Sequence, residues 1–267
     1  MNTKLIFGFI AMLLLFPVTT KSQNLPSGNS VAEKTFAKDD GISVSRKLTM
    51  ELKDKRGKVR IRETISLRKY FNKEKRLAIF YLTPTSVKGT AFLTFDYPDA
   101  SKDDDQWLYM PALRKTRRIS AANRGDYFLG TDLTYEDIRL ETRISREDYN
   151  YKTLGKENID GHSCYVVEGV PKNQKIAKEL GYSKVKYWVD ADVWMLRKAD
   201  SWDAAGNHLK TVKISDIKKI QSIWTYHHIL VKNHKTKHET IFRFTDIDYQ
   251  KTLSDDLFTE EALVNGF

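Results

Sequence analysis

The chain has 267 residues with 45 Lys+Arg against 35 Asp+Glu, a formal net charge of +10, and a single Cys. A mean hydropathy of -0.53 with 40% hydrophobic residues excludes a polytopic membrane protein, yet supplies enough apolar side chains for a large core and so excludes wholesale disorder. One Cys excludes a disulfide framework within the chain and any four-cysteine zinc site, and the counts of 13 Gly and 6 Pro exclude collagen-like or low-complexity sequence.

Residues 1–22 have the layout of a secretory signal peptide. Lys4 gives a basic start, Leu5 to Phe16 is almost wholly apolar, Pro17 breaks the run, and Thr20 and Ser22 place small residues before a cut at Gln23. The apolar run is shorter than the roughly 20 residues a membrane span needs. Losing Lys4 and Lys21 with this segment leaves a mature charge of about +8, which attracts phosphate head groups, nucleic acid or acidic proteins. Export makes nucleic acid the least favoured of these partners. Residues 23–29, with Leu25-Pro26 and Gly28, read as a linker, and 30–267 as one folded domain.

After a short helix over 30–38, strand signals dominate. Leu48, Met50 and Leu52 alternate with polar residues; after Asp54-Lys55-Arg56-Gly57, so do Val59, Ile61, Ile65 and Leu67. Period-two alternation across a Gly-containing loop predicts an antiparallel hairpin with one apolar and one wet face. On the wet face Arg60, Arg62 and Arg68 read as a solvated rim. Further strands are predicted over 76–82, 90–96, 106–110, 114–120, 162–170, 183–190, 194–203, 208–217, 223–231 and 239–248. Helices are predicted over 172–180, closed by Gly181, and over 255–263. Cys164, inside a strand-like run, reads as a small buried apolar residue. Strands rarely alternate with long helices, which argues against a doubly wound α/β fold. The expected class is mainly β with few helices (α+β): a large curved antiparallel sheet with short helices over its apolar side.

No nucleophile elbow, Walker A loop or zinc-protease motif is present, so the residues point to no catalytic group, cofactor or metal. His227 and His228 are adjacent and point to opposite faces of a strand, and Lys232, Lys235 and Lys237 crowd His234 and His238. Asp103-Asp104-Asp105 lacks the spacing of a calcium loop. Asp132, Glu136 and Asp137 flank Tyr135; paired carboxylates can perform acid–base chemistry, but Thr134 followed by Asp137 also fits a helix cap. The basic run Arg114, Lys115, Arg117, Arg118 lies shortly upstream, and an acidic turn docking on a basic strand is the simpler reading.

The run Asp105-Gln106-Trp107-Leu108-Tyr109-Met110-Pro111-Ala112-Leu113-Arg114-Lys115-Thr116-Arg117-Arg118-Ile119, continued by Gly125-Asp126-Tyr127-Phe128-Leu129-Gly130-Thr131-Asp132-Leu133-Thr134-Tyr135-Glu136-Asp137, resembles a signature of the LolA-like outer-membrane lipoprotein-sorting proteins. Pro84, Val87 through Thr90, Tyr187 through Asp190, Asp203, Gly206 and Leu257-Phe258-Thr259 also match. The resemblance covers most of residues 30–263. It implies an exported protein of a bacterium with two membranes, localised to the periplasm. The implied fold is an incomplete barrel whose helices plug the open side. The implied function is a carrier of lipid or lipoprotein acyl chains, in a branch associated with efflux-type inner-membrane exporters.

The carrier reading also has a physical basis. Exposing a 16-carbon chain to water costs on the order of 12 kcal/mol, which a soluble protein with an apolar cleft removes. A basic surface further suits transient contact with anionic membranes. The expected cleft residues are Leu48, Met50, Leu52, Val59, Ile61, Ile65, Leu67, Ile79, Tyr81, Leu93 and Phe95; the alternative for each is a dry core position. Arg117 and Arg118 are expected to pair with Asp132, Glu136 or Asp137 at the cleft rim or on a lid. Two rival functions remain: a non-catalytic adaptor of an exporter or envelope complex, and an enzyme on lipid or envelope polymer using Asp132, Glu136 or Asp137.

Overall fold

A computed structural model describes residues 25–99 and 102–267. The expected signal peptide lies outside the described residues. Helix α1 (Gly28–Ala37), with Ser27 as its N-cap, leads into strands β1 (Ser43–Lys53), β2 (Val59–Phe71), β3 (Glu74–Thr83), β4 (Ala91–Asp96), β5 (Asp105–Met110) and β6 (Lys115–Ile119). Helix α2 (Tyr135–Leu140) follows, then β7 (Tyr149–Ile159), β8 (His162–Pro171) and helix α3 (Gln174–Leu180). Strands β9 (Lys184–Asp190), β10 (Leu196–Trp202), β11 (His208–Ile220), β12 (Ile223–Asn233) and β13 (Glu239–Asp248) complete the sheet, and helix α4 (Glu260–Asn265) closes the chain.

All thirteen strands form one antiparallel sheet in the order β6-β5-β4-β3-β2-β1-β13-β12-β11-β10-β9-β8-β7. The edge strands β6 and β7 are not paired to each other, so the barrel is incomplete. The first hairpin shows how local chemistry sets the register. The Asp54 carboxylate accepts from the backbone N–H of Arg56 and Lys58, at 2.9 and 3.0 Å, and this pins a turn that places Val59 opposite Lys53. At α3, Asn173 caps the first turn and Gly181, at φ +74°, supplies the left-handed residue that ends the helix. The residues expected to form a linker are anchored: the Pro26 carbonyl accepts from Thr153 on β7 at 2.7 Å, and Gly28 packs against Tyr151.

The sheet buries both faces near β1–β5. The inner face carries Leu48, Met50 and Leu52 beside Phe242 and Phe244, with Leu77, Ile79, Tyr81, Phe92 and Leu108 alongside. Against it pack the chain from Phe128 to Ile144, including α2. The outer face carries Leu67, Ala78, Phe80, Leu93 and Trp107, covered by Leu253, Phe258 and Leu263 of the C-terminal segment. That second core differs from the expectation of helices on one apolar side only. Cys164 is fully buried, and burial pushes its thiol up to about 11.

Candidate functional site

Between the inner face of the sheet and the segment carrying α2 lies an apolar cavity of about 100 Å³. Leu48, Ile79, Val212, Ile229, Phe242 and Phe244 form its sheet wall, and Leu133, Ile138 and Leu140 form its lid. Tyr149, Tyr182, Tyr187 and Tyr226 add hydroxyls to the lining, and burial raises all four phenols above their ordinary range, so they remain neutral donors. A dry cavity of about 150 Å³ admits benzene. The space is therefore smaller than one that holds a single aromatic ring.

That segment is held at two ends. Thr134 caps α2, accepting from the Asp137 N–H at 3.1 Å while Asp137 accepts from the Thr134 N–H at 2.8 Å. On one side Asp132 accepts hydrogen bonds from the Thr240 hydroxyl at 2.6 Å and contacts His238 Nδ1 at 2.6 Å. Lys210, nearly inaccessible, reaches Asp137 at 2.5 Å and the Asp132 carbonyl at 3.2 Å. Arg62 Nη1 donates to the Leu129 carbonyl at 2.5 Å, and Asn233 to the Tyr127 hydroxyl at 2.9 Å.

On the other side is a buried ion network. Arg46, Arg68 and Lys75 project from the inner face and converge on Glu141, just after α2; Arg46 bonds it directly, and Lys75 Nζ and Arg68 Nε lie 3.7 and 3.8 Å away. Lys75 also donates to the Arg139 carbonyl at 2.6 Å and pairs with Asp96 at 3.2 Å. Arg139 bridges Asp96 at 2.7 Å and Glu136 at 2.5 Å. Asp40 receives Arg68 and Arg143. Burial alone would raise the Glu141 carboxyl, but Arg46, Arg68 and Lys75 outweigh it and hold the group far below the usual glutamate range. Several ions in so dry a place are tolerable only because each is paired; removal of one strands its partners.

The cross-strand register decides which expected residues meet the cavity, since directly opposite residues share a face. Leu48 and Ile79 line it, and Met50, Leu52 and Tyr81 belong to the same buried inner cluster. On β2, Leu48 faces Thr64 and Met50 faces Arg62, so Val59, Ile61, Ile65 and Leu67 point to the outer face. Leu93 and Phe95 face Ala78 and Arg76 and are outer as well. Ile61 is 54% exposed, whereas Ile65, Leu67, Leu93 and Phe95 pack beneath the C-terminal segment. The same register moves Arg68 from the expected solvated rim into the ion network, where its side chain is 2% exposed.

The expected rim pairs are also corrected. Arg118 pairs with Asp105, and Arg117 is exposed on the edge strand. Asp132, Glu136 and Asp137 instead take His238, Arg139 and Lys210. Asp132 and Asp137 tie the α2 segment to β13 and β11, whereas the Glu136–Arg139 pair lies within α2 and reaches the sheet through Arg139 and Asp96. The partners missed in the sequence, Lys210 and Arg139, looked like ordinary surface charges within their own elements. Glu141 carried no motif at all, and only its position after the Thr134 cap hinted that it enters the interior.

Comparison with known proteins places this architecture. A family model described as "-like: Uncharacterized protein" matches residues 73–265. A DUF1329 family protein from Desulfovibrio piger superposes with a TM-score of 0.79 and 30% identity, covering 88% of this chain and 97% of that one. A domain from Vibrio parahaemolyticus, provisionally named an outer membrane lipoprotein-sorting protein domain, gives a TM-score of 0.79 and 27% identity over 89% and 98%. A LolA superfamily protein from Nitrosomonas europaea shares the fold, with a TM-score of 0.64 and 21% identity over 89% and 99%. No curated protein matches.

Proposed function

The chain belongs to the DUF1329 family, and from that premise we propose that it is a periplasmic carrier holding an acyl chain of a lipid or lipoprotein between the sheet and the α2 lid. The observation that carries this reading is the apolar cavity on the inner face of a LolA-superfamily fold, walled by Phe242, Phe244, Ile79 and Leu140. Binding is noncovalent: apolar contacts take the chain, and the neutral tyrosine hydroxyls give its polar end hydrogen-bond partners. No catalytic step is required. Exchange takes place during transient contact with a membrane surface, in concert with an efflux-type inner-membrane exporter. No described helix is long and apolar enough to cross a membrane.

The size of the cavity, about 100 Å³, favours a second reading in which the same fold works as an adaptor without lipid. Native mass spectrometry of protein purified without detergent, followed by lipid extraction, separates the two. A stoichiometric lipid adduct supports the carrier. A bare mass that persists after incubation with envelope lipids rejects it in favour of the adaptor.

A further inference from the structure

Five hairpin turns share one edge of the sheet; the β10–β11 turn, residues 203–207, sets Asp203 near Lys235, and the other four are basic. Strands β1 to β6 form an unbroken meander, so the turns after β1, β3 and β5 fall on the same edge. Strand β13 begins with Glu239 opposite Lys53, which brings the β12–β13 turn to that edge too. At about 4.8 Å between strands, successive turns are about 10 Å apart and the row of four extends about 30 Å. Direct contact supports the spacing: the Pro111 Cγ lies 3.6 Å from where a side chain on Gly89 would begin.

The row is strongly basic. Lys55, Arg56 and Lys58 occupy the β1–β2 turn, all exposed. Lys88 occupies the next, Lys235 and Lys237 the β12–β13 turn, again exposed. The β5–β6 turn is followed by Arg114, Lys115 and Arg117. The opposite edge is mixed: Asp103, Asp246, Asp248, Asp255 and Asp256 lie among the exposed Lys73, Lys102, Lys218, Lys219 and Lys251. Turns spaced at about the Debye length of 8–10 Å add their fields into one positive plane.

Apolar tips accompany the charge. Leu113, at the crest of the β5–β6 turn, is 59% exposed, and Val59, just past the β1–β2 turn, is 50% exposed. A row of separate turn tips suits a laterally continuous surface rather than one partner side chain. Lys and Arg beside exposed aliphatics match the head-group layer, where ammonium and guanidinium meet phosphate and Leu enters the acyl boundary.

We propose that this basic edge is the face by which the protein docks on the anionic phosphate head groups of a lipid bilayer, with Leu113 entering the interface. The proposal rests on the membrane contact in the carrier reading and names its face; it does not require an occupied cavity. Each Lys or Arg near such a surface is worth about five-fold in binding.

The test is sedimentation of the mature chain, from Gln23 onward, with vesicles of phosphatidylcholine alone, or mixed with phosphatidylglycerol, at low and high salt. Binding is expected only to the mixed vesicles and is expected to fall at high salt. The exposed triple variant Arg114→Glu/Lys115→Glu/Arg117→Glu should weaken it about 100-fold or more. Leu113→Ser should weaken it with the salt dependence unchanged. Equal binding to both vesicle types, or a folded triple variant that still binds, overturns the proposal and leaves the edge to an acidic protein. Asp255→Lys/Asp256→Lys tests net charge alone: a gain comparable to the triple variant's loss also overturns it. The native mass of each variant keeps the readings apart, since lost docking with an unchanged adduct leaves the carrier intact, and an empty cavity with intact docking rejects only the carrier.

Discussion

Substituting Glu141→Gln tests whether the buried ion network pins the α2 lid. The side chains concerned are nearly dry: Glu141 is 10% exposed, Arg46 8%, and Arg68 and Lys75 2% each. Removing one member of a buried pair costs about 3–5 kcal/mol, because the partner charge stays behind. Here the lower end applies, about 3 kcal/mol, since Arg68 keeps Asp40 and Lys75 keeps Asp96. For a chain of this size that is a fall in Tm of about 6–12 °C, read by calorimetry at pH 7. The pH dependence supplies an independent check. The folded carboxyl lies below its ordinary value of 4.5, so its stabilisation is complete above about that pH and is lost as the pH falls towards the folded value. The gap between wild type and Glu141→Gln should therefore narrow below about pH 4.5. Adding Arg46→Met to Glu141→Gln should cost less than the sum of the two, because the stranded guanidinium is gone. A loss under about 1 kcal/mol, or a gap that stays constant in acid, would refute the pinning role.

Three further outcomes follow from the same geometry. Lys210→Met removes the buried cation that holds Asp137 and the Asp132 carbonyl; it should cost about 1–3 kcal/mol and raise amide exchange across α2, and unchanged protection there would count against the latch. Burial pushes the Asp104 carboxyl up to about 6, so this group's contribution is full below its ordinary 3.8 and lost as the pH rises through about 6. Urea midpoints at acid and neutral pH should then shift in favour of Asp104→Asn as the pH rises, and parallel curves would reject the assignment. Ile61→Glu, on the exposed outer face, should change stability by no more than about 0.5 kcal/mol and leave lipid retention intact, whereas Ile79→Glu should unfold the protein. Loss of retention in a folded Ile61→Glu protein would show that the outer face carries cargo.

Period-two alternation and turn chemistry placed nearly every strand, and Gly181 marked the end of α3. Strand β7 escaped because it is an edge strand with mostly part-exposed or exposed positions, so its apolar residues alternate weakly. The Thr134–Asp137 cap was legible because a capping box acts between neighbours three residues apart. The family signature through residues 105–137 fixed the incomplete barrel.

Which face of each strand meets the cavity was decided only by the tertiary structure. Alternation says that Ile61 and Ile65 share a face; it does not say that Leu48 lies opposite Thr64 rather than Ile65. One residue of register exchanges inside for outside, and that register depends on the turn and on both packed layers. Here the outer face is also covered, by Phe258 and Leu263, so two apolar sets compete for the name of core. The ion partners were hidden for the same reason. Arg46 with Glu141, and Asp137 with Lys210, are separated by 95 and 73 residues, and no local pattern sets a charge that finds its partner only when the sheet curls around the lid.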